Sequence, residues 1–420
     1  MSDVNKKAGF IIEPDYYKDF TCLASECPDT CCKGWNIEMD EESIIKWKEL
    51  SEHARKHAGE GLPVPEDHIL VVEHSKTDIR HQIKLNEKGF CPFLTENGLC
   101  SIVMNFGHEY TTKICRDFPR QQNDHEDIIQ KAVAVRCDPV LDLLWRKDVF
   151  SYVVHGEDGE HRISYPAKSL LDGLLRLGNE GEHSSSAYLY GLFQSFHVMH
   201  EKLRELTPCD ENGYREYGQE FITEENSREL LFYLESHMDA YSQELKQLTM
   251  GKKRKLSFTD LLQAYHDMSY DVMKSFFDNV SFGPDFKKSF YQSRELLKTH
   301  DDALFSQLAE GSYISEDTDH KLKLVILEQL FNAVLSVETI DYETVLLRLQ
   351  WLMVQYLVIR YLLFLDFLRG EAAAVEKLKF RISRIFRVTD LPDIIKVSFF
   401  DFEFVNWMWD PSYALELLLF

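Results

Sequence analysis

Nine cysteines occur in the sequence, and all except Cys209 lie before position 140. Thiolates are preferred ligands of zinc and of iron–sulfur clusters, so this density predicts a cysteine-bound metal centre. Four of the cysteines fall between positions 22 and 32, and four more between positions 91 and 137. The candidate metal ligands are Cys22, Cys27, Cys31, Cys32, Cys91, Cys100, Cys115 and Cys137.

The spacing of these cysteines leaves the metal open. The leading pattern is C-x4-C-x3-C-C, and the chain has no C-x2-C pair of the kind that many structural zinc sites use. Iron–sulfur clusters accept irregular spacing, which favours a cluster modestly over zinc. The eight thiols could serve two centres, or one centre with spare thiols. The adjacent Cys31 and Cys32 are expected to point in different directions, and the pattern is not the C-x3-C-x2-C of radical S-adenosylmethionine enzymes.

The N-terminus and the charge balance indicate the compartment and the kind of partner. Residues 1–9 are polar and lack the apolar core of a signal peptide, which predicts a cytoplasmic protein with reduced thiols. The 47 basic and 70 acidic residues give a formal net charge of −23 at pH 7. That charge disfavours binding to nucleic acid or an anionic membrane, and it would attract a lysine-bearing protein.

Capping and alternation predict the elements around the cysteines. Residues 1–15 are predicted to form a loose arm, and Asp40 is the predicted N-cap of a helix that runs to about position 58. Apolar and polar side chains alternate over residues 79–85, which predicts a half-buried strand. The dipeptide Asn97-Gly98 predicts a hairpin turn. A regular hairpin would leave Cys91 on the order of 13 Å too far along the strand, so its segment must fold back to share a centre with Cys100.

The last two candidate ligands are predicted next to short helices. A helix that holds Cys115 is expected to end before Pro119, and a strand over residues 128–136 leads to Cys137. Asp138 is the predicted N-cap of the next helix. A helix N-terminus favours the thiolate form of a neighbouring cysteine, which is the form that binds a metal, so Cys137 is expected to ionise readily.

The chain becomes almost entirely helical after about position 150, beyond a polar linker over residues 155–164. The predicted fold class is mainly α: a small irregular α+β cysteine-rich metal-binding domain over residues 1–150, followed by an all-α helical domain over residues 151–420. The predicted helices cover residues 169–177, 186–206, 227–248, 258–277, 286–308, 321–337, 342–369 and 372–386.

The most apolar run, residues 351–368, is long enough to raise the question of a membrane span. It contains Gln355, Arg360 and Asp366, which are costly in lipid, so a buried core helix is predicted instead. The C-terminal segment 399–420 is rich in aromatic residues, including Trp407 and Trp409, and core packing is the simplest explanation for them. No glycine-rich nucleotide loop, phosphate-binding loop or nucleophile elbow is present.

The cysteine motifs resemble those of the flagellin lysine-N-methylase family, which belongs to a broader group of zinc- or iron-chelating cysteine-cluster proteins. The resemblance covers residues 20 to about 140. It rests on the order and spacing of five motifs: Cys22-x4-Cys27-Pro-Asp-Thr-Cys31-Cys32-Lys-Gly-Trp35, Gly89-Phe-Cys91-Pro-Phe-Leu, Gly98-Leu-Cys100-Ser-Ile, Cys115-Arg-Asp-Phe-Pro-Arg120 and Arg136-Cys137.

The resemblance implies an S-adenosylmethionine-dependent protein-lysine N-methyltransferase. Its substrate would be surface lysines of flagellin, or of another lysine-bearing protein, in the bacterial cytoplasm before export. The resemblance also implies a 4Fe–4S cluster, with zinc as the alternative, bound by some of the eight cysteines. It assigns no catalytic residue and no residue to the S-adenosylmethionine site.

Two other classes of function stay open at this stage. In the first, the protein is a non-enzymatic metal-binding or redox adaptor whose structural zinc or iron–sulfur site holds the first domain together. In the second, a structural zinc protein binds a partner through the region around Trp407 and Trp409. Metal content and a methyl-transfer assay would separate these classes from the methyltransferase.

Overall fold

A computed structural model describes most of the chain. The described residues are 9–34, 37–57, 62–73, 79–156, 163–206, 221–249, 313–370 and 375–389, with isolated positions at 263, 266–270, 292 and 418. The helices predicted over 258–277 and 286–308, the aromatic segment 399–420 with its two tryptophans, Trp35 and Cys209 lie essentially outside these ranges. The described part is mainly α, with two small sheets, as predicted.

The strands form a four-stranded and a three-stranded sheet. The larger sheet has the order β5-β6-β1-β7, in which β1 is parallel to β6 and antiparallel to β7, and the smaller has the order β2-β4-β3. The strands are β1 (Phe10–Pro14), β2 (Glu38–Met39), β3 (Ile69–Glu73), β4 (Ile79–Ile83), β5 (Arg120–His125), β6 (Ile128–Val133) and β7 (Tyr152–His155).

The prediction of a loose arm over residues 1–15 is wrong for its second half, since Phe10–Pro14 forms an interior strand of the larger sheet. Ile12 is fully buried, and Glu13 is also buried, with one oxygen 3.0 Å from His155 Nε2 on β7. Residues 10–14 begin with three apolar side chains in succession, so they lack the alternation that marks a half-buried strand. The pairing partners of β1 lie more than a hundred residues away, so only the tertiary fold reveals it.

A capping side chain sets where the first helix of the chain begins. The Asp40 side chain accepts a hydrogen bond from the Ser43 backbone and begins α1, as predicted. The same carboxylate accepts from the backbone N–H of Lys113, which fixes the start of α3 against α1. The described helices of this part are α1 (Glu41–Lys56), α2 (Ser101–Phe106), α3 (Lys113–Asp117) and α4 (Asp138–Leu144).

Longer helices make up most of the rest of the described chain. The helices predicted in these ranges are confirmed, but their first and last residues differ from the predicted ones. They are α5 (Lys168–Glu180), α6 (Ser185–Leu206), α7 (Glu224–Thr249), α8 (Glu316–Gln329), α9 (Tyr342–Leu368) and α10 (Val375–Val388). The predicted helix over 321–337 differs most. It begins earlier, because the Ser315 side chain accepts from the Thr318 N–H and caps the helix. At its other end, α8 continues after Gln329 into a π-turn over Leu330–Val334.

The hydrophobic core continues from the larger sheet into the helices. Ile12, Val133 and Leu141 belong to the same buried cluster as Phe331 and the helix α9. Among the described helices, α9 alone is long and apolar enough to cross a membrane, and 89% of its most apolar window is buried within the protein. The prediction of a core helix there is confirmed. The domain boundary at residue 150 stays a prediction.

Candidate metal centre and the adjoining cavity

The four leading cysteines lie in the irregular loop between β1 and β2, and the others lie where short elements meet. Cys91 and Cys137 are buried, Cys22 is exposed, and the remaining five are half-buried. None of the eight described cysteines forms a disulfide bond. A second hydrophobic cluster, built on Trp47, Phe93 and Ile83, packs against Cys32, Cys91, Cys100 and Cys115.

The hairpin segment folds back, as required for Cys91 and Cys100 to share a site. The Cys91 N–H donates to the Cys32 carbonyl at 2.8 Å, which joins this segment to the leading loop. The chain then turns, so that the Leu94 N–H donates to the Cys91 carbonyl at 3.1 Å and Leu94 pairs with Cys100. Gly98 takes the positive φ of 75° that the predicted turn demands.

Four thiols lie near enough to influence one another's ionisation in all six pairs, and we call them the four-thiol group. The group consists of Cys32, Cys91, Cys100 and Cys115. Burial raises the pKa of the Cys91 thiol far above its usual range, and the neighbouring Cys32, Cys115 and Cys100 raise it further. Burial also raises the pKa of Cys115 to about 12, and it raises the pKa of Cys100, in both cases with a contribution from Cys32. Cys115 stands on α3, where the Thr112 hydroxyl accepts from its N–H.

The remaining thiols divide between this group and a second one. Cys31 hydrogen-bonds through its side chain to Cys32, so the expectation that these adjacent side chains point apart is wrong. Cys27 interacts electrostatically with Cys22 and with Cys137, which forms the second group. Sequence spacing does not reveal this division, because it depends on how the loop folds.

The expectation that Cys137 ionises readily is also wrong. It occupies the N-cap position of α4, one residue earlier than predicted, but burial raises the pKa of its thiol to about 12, and Cys27 adds to the shift. A helix of seven residues offers a weak compensating field. Desolvation of the thiolate therefore dominates in the metal-free protein.

The described side chains do not converge on a single point. Among the residues that the structure describes, no three His, Cys, Asp or Glu side chains are arranged closely enough to hold a metal ion. The donor chemistry nonetheless suits a thiolate-bound centre, since the thiols of the four-thiol group influence one another's ionisation. On α1, the rings of His53 and His57 contact each other in a tilted arrangement, with centroids 4.3 Å apart.

The Cys32 thiol is the most acidic of the group, and its reactivity can be tested. The hydrogen bond from Cys31 lowers the pKa of Cys32 to about 7, with smaller contributions from Thr30 and Arg387. We expect iodoacetamide at pH 7 to alkylate Cys32 in the metal-free protein at least about tenfold faster than Cys91 or Cys115. Peptide mass spectrometry over time measures the rates.

A matched variant checks the cause of this reactivity. Cys31→Ala removes the main stabilising hydrogen bond, so alkylation of Cys32 at pH 7 should slow and its rate profile should shift to higher pH. Equal rates for Cys32 and Cys91 in the wild-type protein would contradict the assignment.

A buried ion pair fastens the leading cysteine loop to α10. Asp29 lies between Cys27 and Cys31, and its Oδ1 accepts from Arg384 Nη2 at 2.7 Å while its Oδ2 lies 3.1 Å from Arg387 Nη1. All three side chains are at most 7% exposed. The sequence around Asp29 gives no sign of this distant ion pair. The basic residues on the buried face of α10 were missed, although its amphipathic pattern offered a signal.

Arg387 extends this contact to the end of β6. Its guanidinium donates to the carbonyls of Thr30 and Arg136, at 3.3 and 3.0 Å. Arg136 immediately precedes Cys137, and burial followed by repulsion from Arg387 lowers the pKa of Arg136 to about 10. Arg136, Arg384 and Arg387 therefore form a group, which we call the arginine group, and Asp29 pairs with the last two of them.

A partly open cavity of about 90 Å³ adjoins this arginine group. It lies between the end of β6, the π-turn after α8, and one face of α9. Two guanidinium groups and several side-chain amides form its polar lining, and aromatic rings complete the wall. Its principal residues are Gln121, Arg136, Gln329, Asn332, Arg348 and Trp351.

A fully buried carboxylate, Glu328, lies directly behind this lining. Its two oxygens accept from Gln329 Nε2 at 2.6 Å and from Asn332 Nδ2 at 3.3 Å, and Asn332 also donates to Gln121 at 2.8 Å. Burial raises the pKa of Glu328 to about 8, although both amides and Arg136 oppose the shift. Sequence reasoning missed this residue because it looks like an ordinary helix position.

The raised pKa of Glu328 predicts a stability that falls as pH rises. The folded state holds its proton up to about pH 8, whereas the unfolded state releases it near the ordinary value of 4.5. The free energy of unfolding should therefore fall between these values, by a few kcal/mol on an order-of-magnitude basis. Glu328→Gln should remove this slope, as urea unfolding from pH 5 to pH 8 would show.

Another substitution controls for general effects of charge. Glu338 is exposed, so Glu338→Gln should run parallel to the wild-type protein across the same pH range. If the wild-type and Glu328→Gln curves were parallel, Glu328 would not hold its proton in the folded state.

The comparisons with known proteins give distant relatives. The chain is 26% identical over 196 residues to the lysine-N-methylases of Salmonella choleraesuis and Salmonella typhimurium, which covers 44% of this chain and 46% of each relative. It is 26% identical over 131 residues to the flagellar biosynthetic protein FliU of Salmonella muenchen, which covers 31% of this chain and 73% of that protein. The chain thus spans about half the length of the lysine-N-methylases it matches. Neither a family model nor a solved structure matches it.

Proposed function

We propose that this chain is a protein-lysine N-methyltransferase that uses S-adenosylmethionine and carries a cysteine-bound 4Fe–4S cluster. The observation that carries the proposal is the four-thiol group, in a chain whose distant relatives are named lysine-N-methylases. Flagellin, or another lysine-bearing protein, is the proposed substrate, in line with the flagellar name of a further relative. Modification would take place in the cytoplasm before export.

The charges around the cysteines support an anionic cluster. Cys32, Cys91, Cys100 and Cys115 would supply four thiolates, which is the ligand number of a 4Fe–4S cluster and also of a structural zinc site. Thiolate-bound clusters of this kind carry net negative charge. Arg387, which pairs with Asp29 and lowers the pKa of Cys32, would offset part of that charge.

The chemistry needs an uncharged lysine at the methyl group. S-adenosylmethionine supplies the electrophilic methyl group when bound. A lysine side chain must lose its proton before its nitrogen can attack, and a desolvated site promotes that loss. The net charge of −23 would raise the local concentration of a cationic substrate around the protein.

The test begins with the metal. We would purify the protein without air, record its visible absorbance, and count iron, sulfide and zinc per chain. A brown protein with about four irons is expected. Incubation with flagellin and S-adenosylmethionine labelled in the methyl group should then transfer label to lysine, and flagellin with acetylated lysines should accept none.

Each failure of this test points to a different function. A colourless protein with zinc would replace the cluster by a structural zinc site. A metal-loaded protein that transfers no methyl group to flagellin or to other bacterial proteins would favour the non-enzymatic metal-binding or redox adaptor.

A further inference from the structure

The S-adenosylmethionine site must be sought outside the features that usually hold this cofactor. The sequence contains no glycine-rich nucleotide-binding motif. The four-thiol group, with four ligands, already meets the needs of one cluster. The cofactor therefore needs other residues, close enough to the cysteines to belong to the same site.

The cavity beside the arginine group has the right position. Arg136 forms part of its wall and is bonded along the chain to Cys137, and the Arg136 carbonyl accepts from Arg387, which also contacts the leading cysteine loop. The second described cavity is lined by residues 163–172 and 222–224, from other elements. The cavity at Arg136 is thus directly connected to the cysteine loop.

The size of this cavity suits a small polar head group. At roughly 10–15 Å³ for each water-sized group, about 90 Å³ holds on the order of seven such groups. The amino, carboxylate and first carbon atoms of an α-amino acid match that number. The adenosine part of the cofactor would extend through the open side.

The lining of the cavity suits an amino-acid head group. Arg136 and Arg348 would pair with a carboxylate, whereas a bare lysine side chain would face two guanidinium groups. The amide nitrogens of Gln329 and Asn332 donate to Glu328, so the oxygens of these amides can accept from an ammonium group. A ligand that carries both a carboxylate and an ammonium group therefore fits this lining better than a simple cation.

The π-turn over Leu330–Val334 contributes Asn332 to the wall of this cavity. Leu335 donates to the Leu330 carbonyl at 2.9 Å, across five residues rather than four. Gln130 of β6 supports the turn, since its amide donates to the Phe331 carbonyl and accepts from Val337. Such single π-turns frequently mark functional sites, because they displace side chains from the regular helical positions.

We propose that this cavity binds the α-amino-acid end of S-adenosylmethionine, with Arg136 and Arg348 paired to its carboxylate and the amides backed by Glu328 facing its ammonium group. The identity of the ligand rests on the proposed function. The recognition of an amino-acid head group rests on the cavity itself.

Binding of unreactive ligands tests this site without any turnover. Isothermal titration of the metal-loaded full chain would use S-adenosylhomocysteine, which keeps the amino-acid end, and 5′-methylthioadenosine, which lacks it. Arg348→Gln is expected to weaken S-adenosylhomocysteine by at least about tenfold while leaving methylthioadenosine unchanged. Equal losses for both ligands would overturn the assignment.

Arg348 also donates to the Ala333 carbonyl, so its replacement could weaken binding by disturbing the fold. A variant that blocks the cavity sterically separates this structural effect from loss of the ligand site. Ala333→Phe fills the cavity from its wall and keeps every charge, so it should also weaken S-adenosylhomocysteine. Ala240→Phe on the exposed side of α7 is the matched control and should bind as the wild-type protein does. Unchanged binding in the folded Ala333→Phe variant would exclude this cavity.

The outcomes separate this inference from the proposed function. Methyl transfer to lysine with normal ligand binding in both cavity variants would overturn the cavity site and leave the methyltransferase intact. Selective loss of S-adenosylhomocysteine in a protein that methylates nothing would support the site and contradict the proposed function. A wild-type chain that binds neither ligand would overturn both.

Discussion

Replacing Asp29 with alanine is expected to lower the free energy of unfolding by about 3–5 kcal/mol. The substitution leaves Arg384 and Arg387 buried without their carboxylate, and an uncompensated buried charge is far more costly than the loss of an exposed pair. Because Asp29 also holds the leading cysteine loop against α10, the loop should loosen as well. Urea unfolding in one defined metal state would measure the loss.

An exposed aspartate provides the matched control. Asp67 lies 2.7 Å from Arg55, the same distance that separates Asp29 from Arg384, but the Asp67 side chain is 61% exposed. Asp67→Ala should change stability by about 0–1 kcal/mol, since solvent screens such pairs. Equal and small effects of the two substitutions would mean that the Asp29 pair is not buried as described.

Local signals were sufficient where one residue decides the structure. The Asp40 cap, the Asn97-Gly98 turn and the buried character of α9 each depend on a side chain or a run of side chains that acts on its own neighbours. These features could be predicted because their physical causes lie within a few residues.

Features that depend on distant partners could not be predicted. Strand β1 is stabilised by pairing with β6 and β7, and Asp29 meets arginines that lie more than three hundred and fifty residues later. The raised pKa of Glu328 arises from complete burial at a π-turn, for which the sequence carries no clear sign. These are also the features that shape the candidate site, because clustered charges need the whole fold to bring them together.

The division of the cysteines into two groups leads to the largest effect that we expect. Cys91→Ser should abolish metal binding and unfold much of the first part of the chain. Cys91 is buried in the four-thiol group, and metal affinity there is folding energy, about 10–16 kcal/mol for a structural zinc site. Metal per chain and the urea midpoint, both measured on protein purified without air, would record the two losses together.

Cys22→Ser is the matched control, because it makes the same chemical change at an exposed thiol of the second group. It should keep the full metal content and nearly the wild-type midpoint if the four-thiol group alone binds the cluster. Equal losses in the two variants would mean that both groups contribute ligands, as one shared site or as two dependent centres. A Cys91→Ser variant with full metal content would exclude the four-thiol group as the metal site. Cys91 is the buried member of that group and belongs to the surrounding hydrophobic cluster, so a metal bound by the group should depend on it.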